Sequence, residues 1–136
     1  MSSPPETALL KWIALALSAD PLFPRAEEAW LELRRTGARL HTSVPILIET
    51  FTFLERNAAR DVALAWKDAL GKVPFLKVLE STNRDLSAAW AYFGRRDLHK
   101  LSAVDATSFV LMSRRKIRRA FTFDHHFAKV GFVLVG

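Results

Sequence analysis

The sequence predicts an α/β protein with a central, mainly parallel sheet. Short β-like runs at residues 39–42, 73–79, 117–123 and 132–135 alternate with helical segments, so consecutive strands must be joined by helical crossovers. Proline, glycine and capping residues mark the helix boundaries at the expected places. No internal repeat, low-complexity tract or Gly/Ser linker interrupts this order.

The first segment, residues 6–18, is rich in Ala and Leu and reads as a helix closed by Asp20-Pro21, because the residue before a proline avoids the helical region. A second helix starts at Pro24, carries Glu27 and Glu28 early and Arg34 and Arg35 late, and stops at Gly37, in keeping with the helix dipole and C-cap preferences. The β-like run Arg39 to Thr42 leads into Ser43-Val44-Pro45, which opens an apolar helix reaching about Arg56. A further helix covers Ala58 to Leu70 and ends at Gly71. Val73 to Leu79 reads as a strand, and Ser81-Thr82-Asn83 caps a helix running to Phe93. After the loop Arg95 to Leu101, Ser102 caps a helix to Arg115, Ile117 to Phe123 reads as a strand, and Phe132 to Val135 as a short final one.

With 136 residues, half of them hydrophobic and a quarter charged, the chain has the size and composition of one folded domain spanning 1–136. The absence of cysteine excludes a disulfide scaffold, a thiolate zinc site and a thiol nucleophile, and is compatible with a reducing cytosol. The apolar stretch Trp12 to Leu17 is far shorter than the ~20 residues of a membrane-spanning helix. Nor does the opening Met1-Ser2-Ser3-Pro4-Pro5-Glu6 have the basic region of a signal peptide, so a cytoplasmic protein without membrane attachment is expected.

The net charge of +6 is unevenly spread. Basic and acidic residues balance up to Gly94. Beyond it stand Arg95, Arg96, Lys100, Arg114, Arg115, Lys116, Arg118, Arg119 and Lys129 against only Asp97, Asp105 and Asp124. Such a basic third attracts polyanions, although helix ends decorated with Arg and Lys produce the same composition.

Three acids stand out. Glu49 lies inside the apolar helix Ile46 to Leu54, where a buried carboxylate needs a cation, a donor, a metal or a proton. Asp105 falls in the first turn after Ser102, a position the helix dipole favours by itself. Asp124 follows the apolar run Ala120 to Phe123, at the end of a strand where α/β folds carry functional groups, and could equally cap the turn it opens. Together they suggest a carboxylate cluster for Mg²⁺ or Mn²⁺. His125 and His126 are adjacent and point apart, and His41 and His99 have no partner in sequence, so the four histidines are read as non-ligands. Nucleophile-elbow, phosphate-loop and dinucleotide motifs are absent.

The segment Leu101-Ser102-Ala103-Val104-Asp105-Ala106-Thr107-Ser108-Phe109-Val110-Leu111-Met112, followed by Ala120-Phe121-Thr122-Phe123-Asp124-His125-His126-Phe127 and Gly131-Phe132, resembles the C-terminal half of PIN-domain proteins of the VapC-like toxin type. Ser18 to Phe23, Ala26, Trp30 and Thr42 to Thr50 look like the family's early helices and its Glu-bearing helix, so the resemblance covers about residues 6–136. It implies a three-layer α/β/α sandwich and an acidic Mg²⁺ or Mn²⁺ site that cuts RNA, with Glu49, Asp105 and Asp124 matching three of the family's acids as metal ligands and catalytic residues. The family has a further Asp ending its first strand. No Asp stands there in this chain, and Ser2-Ser3-Pro4-Pro5 takes the place of the opening strand, leaving residues 1–5 divergent or poorly ordered. One register puts Glu6 at that acid, as a metal ligand, and another puts Ala8 there. A weakened metal site or a diverged N-terminus would account for the absent Asp as well.

The resemblance thus implies a metal-dependent endoribonuclease hydrolysing RNA phosphodiesters, with Arg95, Arg96, Lys100, Arg114 and Arg115 gripping phosphates; Thr107, Ser108 and Thr122 could support the ligands, but packing or capping is the preferred reading of each. An antitoxin protein and a homodimer are the implied protein partners, with Trp12, Leu15, Trp30, Leu33, Phe51 and Phe53 offering apolar surface if they are not core. The alternative is a degenerate, non-catalytic PIN-like domain that binds RNA or a protein; a structural α/β protein with neither activity is the third reading. A bound ion would neutralise Asp105 and Asp124 and make the basic third more positive toward RNA.

Overall fold

The computed structural model describes residues 7–11 and 23–135. Five parallel strands form one sheet in the order β3-β2-β1-β4-β5, with β1 at Thr7–Leu10, β2 at Arg39–Ser43, β3 at Lys77–Leu79, β4 at Arg119–Phe121 and β5 at Val133–Val135. Helices α1 (Phe23–Arg35), α2 (Val44–Asn57), α3 (Arg60–Leu70), α4 (Asn83–Ala89), α5 (Ala103–Arg115) and α6 (His125–Lys129) connect and flank them, and a 3₁₀ turn at Trp90–Gly94 follows α4. The strand order reverses at β1, so right-handed crossovers lay helices on opposite faces and open a crevice at the carboxyl ends of β1 and β4. This is the predicted α/β/α arrangement with its parallel sheet.

One element overturns the sequence reading. Thr7–Leu10 is the central strand rather than the start of a helix over 6–18, paired with β2 through Ala8↔Leu40 and with β4 through Leu9↔Ala120 and Leu10↔Phe121. Its Ala and Leu residues favour a helix locally, but Ala8, Leu9 and Leu10 are 0%, 1% and 0% exposed. An unbroken apolar run is what a strand covered on both faces needs. An opening strand is therefore present after all, downstream of Ser2-Ser3-Pro4-Pro5. Ala8 lies within it and not at its carboxyl end. The expectations placed on residues 1–5, Glu6, the rest of the first helix and Asp20 lie outside the described residues, as do Trp12 and Leu15.

The other elements stand close to the predicted ones. Gly37 adopts φ +69° after α1, and the Gly37 and Ala38 amides close the helix on the Arg34 and Leu33 carbonyls. Ser43 caps α2, its hydroxyl accepting from the Ile46 amide at 3.3 Å, with Pro45 in the first turn. The strand read at 73–79 shrinks to three residues, because Phe75 takes φ +60° and breaks the extended chain. The strand read at 117–123 shortens likewise: Lys116 turns left-handed and the Ile117 amide still bonds the Met112 carbonyl of α5. The core gathers Leu9, Leu40, Ile46, Leu79, Phe121 and Phe127 around the sheet. Phe109 of α5 packs edge-on against Phe127 at 4.8 Å and Tyr92 at 5.1 Å between ring centroids.

Candidate acidic centre at the carboxyl edge of the sheet

The carboxyl ends of β1 and β4 and the N-terminal part of α5 converge on one spot. Asp105 is carried there by the first turn of α5, where Ser102 caps the helix and its hydroxyl accepts from the Asp105 amide at 3.0 Å. The dipole alone does not account for it, since its side chain is only 3% exposed. Asp124 arrives from the turn after β4. The Thr122 hydroxyl accepts from the Asp124 amide at 3.1 Å, and Asp124 Oδ1 accepts from the His126 amide at 2.9 Å, capping α6. Both anticipated roles of Asp124, a cap and a strand-end acid, are thus filled by one side chain. Glu49 is half-buried on α2, and its charge interacts with Asp124 and with Lys11.

Lys11 is the residue that sequence reasoning missed. It follows β1 directly, and its ammonium lies 2.9 Å from Asp105 Oδ1 and 3.9 Å from Asp124 Oδ2. His126 was missed as well. Of the adjacent histidines only one has to point inward, and the His126 imidazole joins Asp105 and Asp124 in a group whose ligand atoms all lie within 4.8 Å of one another. Its Nε2 meets the His99 carbonyl at 2.6 Å and therefore donates to it, leaving Nδ1 2.9 Å from Asp124 Oδ1. The spacing of an N-cap Asp to the second residue of its helix was the one signal in sequence that could have paired them.

The electrostatics follow from this crowding. Burial, opposed by Lys11 and reinforced by Asp124, pushes the Asp105 carboxyl up to about 6. Burial raises Glu49 too, against the pull of Lys11 and with the push of Asp124. At Asp124 burial is outweighed by hydrogen bonds with Asp105 and the His126 amide and by Lys11, and its carboxyl is held below the usual range.

Hard oxygen donors with one imidazole fit a divalent ion such as Mg²⁺ or Mn²⁺. Thr107 and Ser108 do not turn toward the acids: their hydroxyls donate to the Ala103 and Val104 carbonyls of their own helix, at 2.8 Å and 2.9 Å. The basic residues divide. The loop carrying Arg95, Arg96 and Lys100 is tied to α6 through the His99 carbonyl and through Lys129, whose ammonium donates to the Asp97 carbonyl at 3.0 Å, so it borders the acids. Within it Arg95 is engaged with Asp97. Arg114 faces the buried Asp85, and Arg115 lines a cleft of about 670 Å³ with Arg39, His41 and Lys77 at the opposite end of the sheet. Both lie at the far end of α5 from Asp105, ~14–15 Å along the helix axis.

A family model described as PIN domain matches residues 11–133. The 23S rRNA-specific endonuclease VapC20, from two strains of Mycobacterium tuberculosis, is 33% identical over 125 residues, covering 91% of this chain and 92% of the relative. The crystal structure of Mycobacterium tuberculosis VapC20, a sarcin-ricin loop cleaving toxin, matches with a TM-score of 0.80 at 30% identity, covering 94% of this chain and 97% of that one.

Proposed function

The chain belongs to the PIN-domain family, and on that premise we propose that it is a VapC-like endoribonuclease dependent on Mg²⁺ or Mn²⁺, acting on structured ribosomal RNA. The observation that carries this reading is the convergence of Asp105, Asp124 and His126 at the carboxyl edge of a parallel sheet, with Glu49 close enough for its charge to act on Asp124 but outside that group, beside an exposed basic loop. Glu49, Asp105 and Asp124 hold the ion, with the His126 imidazole available beside Asp124 as a further donor; Glu6, outside the described residues, is another candidate ligand. When bound, the divalent ion lowers the pKa of a water and stabilises charge on the phosphodiester. Arg96 and Lys100, exposed in the loop beside the acids, engage the flanking phosphates. Arg95, Arg114 and Arg115 contribute to the wider positive field.

The protein partners fitting this reading are an antitoxin and a second copy of the chain. Leu33 is core, whereas Leu31 and Ile48 are 61% and 62% exposed on α1 and α2 and offer apolar surface for such contacts. Among the described residues no helix is long and apolar enough to cross a membrane, and the cytoplasm is the proposed compartment.

The test is cleavage of a sarcin-ricin hairpin oligonucleotide with Mg²⁺ or Mn²⁺, against Asp124→Asn. Metal-dependent, chelator-sensitive cleavage is expected, reduced in the variant by at least about a hundredfold. No cleavage with either ion, with Asp124→Asn behaving like the parent, would sink it. Lys11 favours a second reading, a non-catalytic domain that binds RNA or a protein on the same scaffold. Intact RNA binding with no heat of Mn²⁺ binding selects that reading.

A further inference from the structure

Lys11 is held where it stands by the backbone of the sheet. Its amide donates to the Phe121 carbonyl at 3.0 Å, extending the β1–β4 ladder by one bond, and the preceding carbonyl, Leu10, accepts from the Thr42 hydroxyl at 3.3 Å. From that point the side chain reaches along the carboxyl edge. Its ammonium touches both oxygens of Asp105, at 2.9 Å and 3.2 Å, and lies 3.9 Å from Asp124 Oδ2. The Lys11 and Asp105 side chains are 18% and 3% exposed, so water does little to screen the contact.

These are the same oxygens a divalent ion would take. Oxygen ligands sit ~2.0–2.6 Å from Mg²⁺, Mn²⁺ or Ca²⁺, and an ammonium straddling both oxygens of Asp105 leaves no room for an ion at that distance. An ion entering beside the ammonium would also meet a like charge across a few ångströms of poorly hydrated space. The four-carbon stem of lysine can swing outward, so entry is opposed rather than barred.

We propose that the Lys11 ammonium is a resident cation of the acidic centre, competing with the divalent ion for Asp105 and Asp124. This rests on reading those acids as the metal site. The ion-free centre is then already neutralised in part by its own chain, and the ion binds only as Lys11 leaves.

The probe is Mn²⁺ itself, titrated into the full chain and followed by electron paramagnetic resonance of the free ion, for the parent, Lys11→Met and Lys11→Asp. Lys11→Met keeps an unbranched stem of four atoms and omits only the ammonium, so it retains the packing and guards against simple unfolding. Tighter Mn²⁺ binding is expected for Lys11→Met, on the order of ten- to a hundredfold, the range over which groups touching metal ligands shift metal affinity. Lys11→Asp, which adds a carboxylate, binds tighter still and gains the larger rise in melting temperature with Mn²⁺. In the parent, mass-spectrometric lysine labelling reads the same competition without a substitution: Lys11 reacts slowly in the ion-free protein and faster with Mn²⁺. Equal affinity of all three proteins, with labelling of Lys11 unchanged by Mn²⁺, overturns the competition and leaves the metal site standing. Absence of Mn²⁺ binding in all three overturns both.

Discussion

Asp85 offers the sharpest test of how the structure assigns its charges. Its carboxylate is 1% exposed, Oδ2 accepts from the Thr82 amide at 2.9 Å and from the Thr82 hydroxyl at 3.1 Å, and Oδ1 faces the Arg114 guanidinium. The Asp85 amide returns a bond to the Thr82 hydroxyl at 3.2 Å, completing a capping box at the start of α4. Asp85→Ala leaves the Asp85 amide on the Thr82 hydroxyl but deletes the acceptor of the Thr82 amide, at ~1–3 kcal/mol, and of the Thr82 hydroxyl, at about 1 kcal/mol. The Arg114 side chain is 45% exposed and can turn to water, so the ion pair adds no more than ~1 kcal/mol. The sum is about 3 kcal/mol. An unfolding entropy of ~2.1 cal/mol/K per residue over 136 residues converts it to a fall of roughly 10 °C in Tm. Thermal melts and urea titrations read this directly. Arg114→Ala leaves the buried Asp85 Oδ1 unpaired and should cost ~1–3 kcal/mol, while RNA affinity stays nearly unchanged, since its guanidinium is engaged with Asp85. Although burial opposes it, the Thr82 bonds and Arg114 hold the Asp85 carboxyl below 3.8, so its contribution is complete above that pH and fades as pH falls through the depressed value. An Asp85→Ala protein melting within ~3 °C of the parent would refute the reasoning.

Burial, then the charges of Lys77, Arg115 and Arg39, push the His41 imidazole below its ordinary 6.5, and its Nδ1 is buried without a hydrogen-bond partner. The unfolded chain therefore takes up this proton first, and stability drops as pH falls below about 6.5; the urea midpoint of the parent should decline more between pH 8 and pH 5 than that of His41→Gln, and parallel profiles would contradict the assignment. Lys116 ends α5 at φ 58°, ψ 35°, a conformation glycine adopts without strain. Lys116→Gly should stabilise the protein by ~0.5–1 kcal/mol and raise Tm by ~2–4 °C; an unchanged or lower melt counts against it.

The sequence carried the order of elements from Pro24 onward, because each helix there has local punctuation: Gly37 after α1, Ser43 and Pro45 before α2, Thr82 before α4, Ser102 before α5. Capping is a matter of a few neighbouring residues and is legible without the fold. Asp105 and Asp124 were legible as well, since a first helical turn and a strand end are local positions. Thr7–Leu10 was not. Four apolar and small residues in an Ala/Leu-rich stretch satisfy a helix as readily as a buried strand, and what makes them a strand is pairing with Leu40 and Ala120, dozens of residues away or more.

The same non-locality governs the centre. By itself the chain determined that carboxylates would stand at helix and strand ends and that its excess positive charge lies beyond Gly94. Only the tertiary structure decided which groups meet. It set Lys11 against Asp105, 94 positions away, turned His126 inward onto Asp124, and gave Arg114 to Asp85 and Arg115 to the cleft with Arg39 and Lys77. Charge content is a property of composition. The energy of a charge depends on the distance to its partners and on how little water lies between them, and both are set only when β1 is inserted between β2 and β4.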